Sequence, residues 1–236
     1  MVALWRRAGI GPASVPFVEG ARMSVCPFSV IESRWWSSGN HSVRGLFEAV
    51  AAIHYDNPSA FAYDMFADKS SLRTVLGLRG HDSRTEVVYL ASHGDHAHIV
   101  PNGGDAISRA EVRAALTAAN PNAQIRGLFL GACLIGNTDV ARYFLERRET
   151  HLDWVAGYGR TVDWVDGSAI DMIFFSKLAQ AYTANARRRK ADRESARHMA
   201  HTAATALVRL VQGAHSAYGF NIYFHENNKL TSMFNE

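Results

Sequence analysis

Two short apolar runs, Val87-Val88-Tyr89-Leu90 and Leu128-Phe129-Leu130, do most to limit what this chain can fold into. A strand that is apolar on both of its alternating faces has to be covered on both sides, as a central strand is in a parallel sheet flanked by helices. Further runs of strand length alternate with longer segments of helical period, the pattern of parallel strands joined by crossover helices. The expected fold class is α/β, a three-layer α/β/α sandwich with a mostly parallel central sheet. Strands are expected at Val25–Ile31, Ala60–Phe66, Glu86–Ser92, Ile125–Gly131, Trp154–Gly157 and Phe220–His225.

Helical spacing links Val43, Leu46, Phe47, Val50 and Ile53, and again Ala196, Met199, Ala200, Ala203, Leu207, Leu210 and Val211, so each set predicts a face packed on the sheet. Ser108 with Glu111 three residues on is a capping box, and Ile107 with Val112 is a hydrophobic staple, which together predict a helix start. The stretch Ser168 to Tyr182 is apolar almost all round and predicts a well-buried helix.

At 236 residues and 47% hydrophobic, the chain can bury one substantial core, and residues 23–236 are expected to form a single domain. Residues 1–22 carry Arg6, Arg7 and Arg22 against Glu19 alone, and read as a targeting peptide or flexible leader, with Met23 as an alternative start. Two cysteines without CxxC spacing form no disulfide framework and suit a reducing, cytoplasmic compartment. No apolar run reaches the roughly 20 residues of a membrane span. A net charge of +3 gives little reason to expect nucleic acid bound directly, and Arg187-Arg188-Arg189-Lys190 reads as a solvated helix end or loop.

The chemistry concentrates where two of the apolar strands end, one in Ser92-His93-Gly94 and the other in Gly131-Ala132-Cys133. In an open parallel sheet, reactive groups collect beyond the carboxyl ends of the strands. A nearby imidazole can take the proton of a thiol, and the thiolate is the nucleophile. Gly94 and Gly131 let the backbone turn sharply and approach a substrate, so the amides of Gly94 and Cys133 are the expected oxyanion donors. Cys26 has no such neighbours and reads as core.

These motifs resemble those of the caspase-like cysteine peptidases, a group that includes caspases, metacaspases, separases and bacterial CHAT-domain proteases. An apolar strand ending in Ser92-His93-Gly94 precedes one ending in Gly131-Ala132-Cys133, in that family's order. Trp154-Val155-Ala156-Gly157-Tyr158, followed by Val162-Asp163-Trp164-Val165-Asp166, resembles the strand and loop after the nucleophile. Where caspases have Gln before the Ala-Cys pair this chain has Gly131, and where metacaspases have Asp before the Cys it has Ala132. The CHAT-type branch is nearest.

The resemblance implies a caspase-like fold and a cysteine endopeptidase with Cys133 as nucleophile, His93 as base and then acid, and no cofactor. It implies a protein or peptide substrate and a separate sensor or regulatory protein, as in bacterial defence or cell-death pathways. It also makes Asp163 and Asp166 candidates for binding a basic P1 side chain, and Arg187 to Arg193 a candidate for self-processing.

Two other readings stay open. His93, Asp95, His96 and His98 concentrate imidazole and carboxylate as a metal-dependent hydrolase does. A caspase-like domain without turnover would instead serve as a scaffold or adaptor.

Overall fold

The computed structural model describes residues 25–102, 104–226 and 229–234. The expected leader at residues 1–22 lies outside them. In chain order the elements are β1 (Phe28–Ser33), α1 (Arg44–Tyr55), β2 (Ala62–Phe66), α2 (Lys69–His81), β3 (Val87–Ala91), the short β4 (His93–Gly94), β5 (His98–Val100) and β6 (Ile107–Ser108), then α3 (Arg109–Ala119) and β7 (Gly127–Gly131). The chain continues through α4 (Thr138–Leu145), β8 (Trp154–Tyr158), α5 (Trp164–Ala186), α6 (Ala196–Leu210), α7 (Ala214–Tyr218), β9 (Phe220–Glu226) and β10 (Lys229–Ser232).

The main sheet has seven strands in the order β10-β9-β8-β7-β3-β1-β2. From β2 across to β8 the pairs are parallel, and β9 and β10 add an antiparallel edge. This is the expected three-layer α/β/α sandwich. Side-chain alternation along the strands divides the core in two. Phe28, Val30, Tyr89 and Phe129 point to the layer of α1, α5 and α6. Ile31, Val88, Leu90 and Leu130 point to the layer of α2, α3 and α4. The apolar runs of β3 and β7 are therefore buried on both faces.

All six expected strands are present, with ends shifted by up to three residues. The capping box forms as well, for Ser108 Oγ accepts from the Glu111 amide at 3.3 Å and Glu111 Oε2 accepts from the Ser108 amide at 2.9 Å. Ile107 and Val112 are both buried, as a staple requires. Two apolar positions break the predicted faces: Ile53 is 65% exposed and Leu210 63%. Ile53 lies off the face that Phe47, Val50, Ala51 and Tyr55 bury, and Leu210 is the last residue of α6. Arg187 to Lys190 end α5 in solvent, with Arg188 paired to Glu194 and Arg189 to Asp192. Among the described residues no helix is long and apolar enough to cross a membrane.

Candidate active site

Strands β3 and β7 are parallel neighbours, and their last residues, Ala91 and Gly131, stand side by side in the register. The chain therefore leaves both strands at the same edge of the sheet. Ser92 follows β3 and donates its amide to Gly131 O at 3.4 Å, while its buried hydroxyl accepts from Ser33 Oγ at the end of β1.

The next residues form a small antiparallel sheet in the order β4-β5-β6, a departure from the exposed loop that the run of His and Asp suggests. Asp95 causes the reversal. Its carboxylate accepts from the amides of Ala97 and His98, both at 2.8 Å, and from His98 Nδ1 at 2.9 Å. Such local side-chain bonds stabilise a tight turn. Gly94 pairs with Ile99, and because the Asp95 amide next to it donates to His98 O, the Gly94 amide faces away from β5.

On that outer side lies the nucleophile loop. A Cβ on Gly94 would stand 2.7 Å from Cys133 O and 3.0 Å from Ala132 Cβ, so only glycine lets the two segments meet this closely. Asn137 Nδ2 fastens them further, donating to His96 O at 3.2 Å and Leu134 O at 2.9 Å. Gly94→Ala is therefore expected to prise β4 away from Cys133 and cost any chemistry that depends on the Gly94 amide about 100-fold in kcat. Circular dichroism and peptide turnover, measured together, separate that loss from unfolding.

Past β7 the backbone is bent to present Cys133. Leu134 adopts φ of 65°, a left-handed conformation costly for a non-glycine residue. It is held there by Leu134 N donating to Arg160 O, Ile135 N to Cys133 O and Gly136 N to Tyr158 O. The Cys133 amide donates to no acceptor among the described residues. Its Sγ lies 3.4 Å from both the carbonyl oxygen and the amide of Val162. His93 is exposed, its ring edge-on to Trp35 at 5.6 Å between centroids. Imidazole and thiol line one cavity of about 300 Å³. A larger cavity, of about 590 Å³, opens at the far end of the sheet among Pro27, Glu86, Arg126 and Asp153, away from both.

The rim of the smaller cavity is aromatic. Trp35 contacts His41 at 5.9 Å, His41 contacts Trp164 at 5.3 Å, and Trp164 Nε1 donates to His41 O at 2.7 Å. This rim escapes sequence reasoning. Its one cue is a Trp35-Trp36 pair set in the polar stretch Ser37-Ser38-Gly39-Asn40. The loop is anchored by Glu32, a fully buried carboxylate at the end of β1. Glu32 accepts from Tyr63 Oη at 2.6 Å, Ser42 Oγ at 2.6 Å, the Val43 amide at 2.9 Å and Trp35 Nε1 at 3.4 Å.

The carboxylates divide differently from the sequence expectation. Asp163 lines the cavity but caps α5, accepting from the amides of Val165 and Asp166 at 2.9 and 3.1 Å. The Asp166 amide holds its carboxyl below the usual range. Asp166 is not in the cavity wall; its carboxylate takes the Tyr218 hydroxyl instead. Both fit the first turn of a helix, where acidic groups are favoured. The acid at the cavity floor is Asp171, two helical turns into α5, which the sequence conceals inside an apolar helix. It accepts from Tyr89 Oη at 2.5 Å and Tyr158 Oη at 2.6 Å, and burial pushes it up to about 7.

Among the described residues no three His, Cys, Asp or Glu side chains converge as a metal site. His93, Asp95, His96 and His98 are adjacent in sequence, but Asp95 is spent on its own turn. Cys26 is buried before β1, and burial pushes its thiol up to about 12. Compared with known proteins, the chain matches no family model and no curated protein sequence.

Proposed function

We propose that this protein is a caspase-like cysteine endopeptidase, nearest to the CHAT-type branch, that cleaves protein substrates through an acyl-enzyme. The observation that carries the reading is the register of β3 and β7. Two parallel neighbours end side by side and deliver an imidazole and a thiol to one cavity. Gly94 packs directly against the Cys133 backbone, and in this reading the amides of Gly94 and Cys133 serve as the oxyanion donors.

In this scheme His93 takes the Cys133 proton, and the thiolate attacks the scissile carbonyl carbon. The carbonyl oxygen becomes an oxyanion between the two amides. Collapse breaks the C–N bond, and His93 returns its proton to the leaving amine. His93 then takes a proton from water, which hydrolyses the thioester and frees Cys133. The chemistry calls for no cofactor. Sγ rests against Val162, which suits a site whose dyad contact forms when a substrate displaces the thiol. A reducing, cytoplasmic setting and a separate sensor protein, as in bacterial defence or cell death, accord with this reading, as does self-processing at the exposed 187–193 stretch.

The test is mass spectrometry after exposure to acyloxymethyl ketones, which alkylate a catalytic thiolate. We expect one adduct on Cys133, absent in Cys133→Ala and slowed at least about 100-fold in His93→Ala. Labelling that ignores His93, or that falls on Cys26, would overturn the dyad. No adduct from any warhead would turn the balance to the scaffold reading.

A further inference from the structure

We propose that Arg109, Arg113 and Arg147 form a binding site for a small phosphate-bearing effector in the groove between α3 and α4. The site stands whether or not Cys133 is a nucleophile.

The three guanidiniums gather at one aromatic ring. Their central carbons lie 5.1, 4.1 and 5.6 Å from the ring centroid of Tyr143, in the last turn of α4. Arg109 and Arg113 stand one turn apart on α3, which packs beside α4, and Arg147 lies just past the end of α4. The electron-rich face of a tyrosine attracts a cation but bears no net charge, so it collects the guanidiniums without neutralising them. Among the described residues none of the three has an acidic partner. The acids of the two helices are engaged elsewhere, Glu111 with Lys69 and the α3 cap, and Asp139 with Arg142.

The cluster is held at a cost. Like charges one helical turn apart repel, and Arg109 is the first residue of α3, where the helix dipole disfavours a cation. Arg113 Nη1 is buried with no acceptor, a hydrogen bond left unmade while the fork lies over the ring. A multiply charged anion offsets all three: it neutralises the cluster, sits favourably by the α3 N-terminus and gives Arg113 an acceptor once its fork turns to the groove. Phosphate fits best, because two of its oxygens match the planar fork of arginine and its charge exceeds the single one of a carboxylate. The Tyr143 hydroxyl, without a hydrogen-bond partner among the described residues, is a further donor.

Both helices lead to the candidate active site. The Arg109 amide donates to Ala97 O at 2.8 Å, in the turn that follows Gly94. Asn137, the N-cap of α4, donates to His96 O in the same turn and to Leu134 O, next to Cys133. An anion that bridges Arg109 and Arg113 to Arg147 therefore ties together the two helices from which these segments hang. Its binding favours the arrangement in which the β4–β5 turn is held against the nucleophile loop.

The experiment is isothermal titration calorimetry of the full chain with pyrophosphate as the probe, in a phosphate-free buffer of low ionic strength. We expect one site, with inorganic phosphate binding more weakly and acetate at least about 100-fold more weakly. Arg113→Gln and Arg147→Gln should each weaken pyrophosphate binding about 10-fold or more, and the exposure of Arg147 lets its replacement spare the fold. Arg142→Gln removes the same charge from α4, but from an arginine already paired, and should change binding about twofold or less. Hydrogen exchange read by mass spectrometry should show pyrophosphate slowing the amides of residues 93–98 and 109–113 about threefold or more, with α6 unchanged. No binding of pyrophosphate, acetate bound as tightly, or equal losses in Arg142→Gln and Arg147→Gln overturns the site. Binding without slowed exchange at 93–98 overturns the link to the Gly94 and Cys133 segments. A DNA duplex that binds and is not displaced by pyrophosphate overturns the small ligand in favour of a polyanion.

Discussion

Cys133→Ala is expected to lower peptide-bond turnover on the order of 10⁴- to 10⁶-fold, while changing folding stability by about 1 kcal/mol or less. The two halves of this expectation come from different features. Among the described residues the thiol's hydrogen bonds are two of 3.4 Å, both to Val162, so its loss removes little that holds the protein together. It also removes the only atom at the cavity able to form the thioester. His93→Ala should cost about 10²- to 10⁴-fold, the usual contribution of a positioned acid-base group. Cys26→Ala is the control. Its thiol is 4% exposed and pushed up to about 12, so it supplies no thiolate near neutral pH. Its replacement should leave turnover within about twofold and lower stability by about 1 kcal/mol. A fluorogenic peptide assay beside urea unfolding of the same preparations measures both. Turnover that persists in Cys133→Ala, or that follows Cys26, contradicts the assignment.

The layered fold was legible because burial on both faces leaves a plain mark: Val87 to Leu90 and Leu128 to Leu130 have no polar alternation to mislead. The positions of His93 and Cys133 followed from it, since strand ends fix where a residue emerges. Other parts were hidden for physical reasons. Residues 93–108 are too short and polar to show strand periodicity, and their sheet depends on the Asp95 turn. The pattern of α4 spans only eight residues and that of α2 rests on Leu72, Val75 and Leu76 among polar neighbours, so their apolar faces become meaningful only against the sheet. Asp163 and Asp166 drew attention as loop acids, yet a cap and a tyrosine contact account for them. Asp171 looked like a polar interruption in a buried helix. Its partners, Tyr89 and Tyr158, are 82 and 13 residues distant, and no local pattern announces such a contact.

Glu32 presents the same problem of distance and leads to the second large expected effect. Glu32→Ala should destabilise the protein by about 3 kcal/mol and reduce turnover at least about tenfold. The carboxylate is wholly buried and gathers four donors from two segments: Trp35, Ser42 and Val43 from the loop, and Tyr63 from β2. Burial, then the bond to Glu32, pushes the Tyr63 hydroxyl up to about 12, so it remains a donor. Alanine leaves the Val43 amide without its acceptor at the very start of α1, and frees the Trp35 ring that lies against His93. Glu32→Gln separates the two effects. It keeps the shape and one acceptor oxygen, but its amide nitrogen faces a donor, so it should recover part of the stability and less of the activity. A loop that serves only to hold the fold would give parallel losses in both variants. A loop that positions the imidazole would give a fall in kcat at unchanged KM, larger than the loss of stability explains at temperatures where each variant is fully folded.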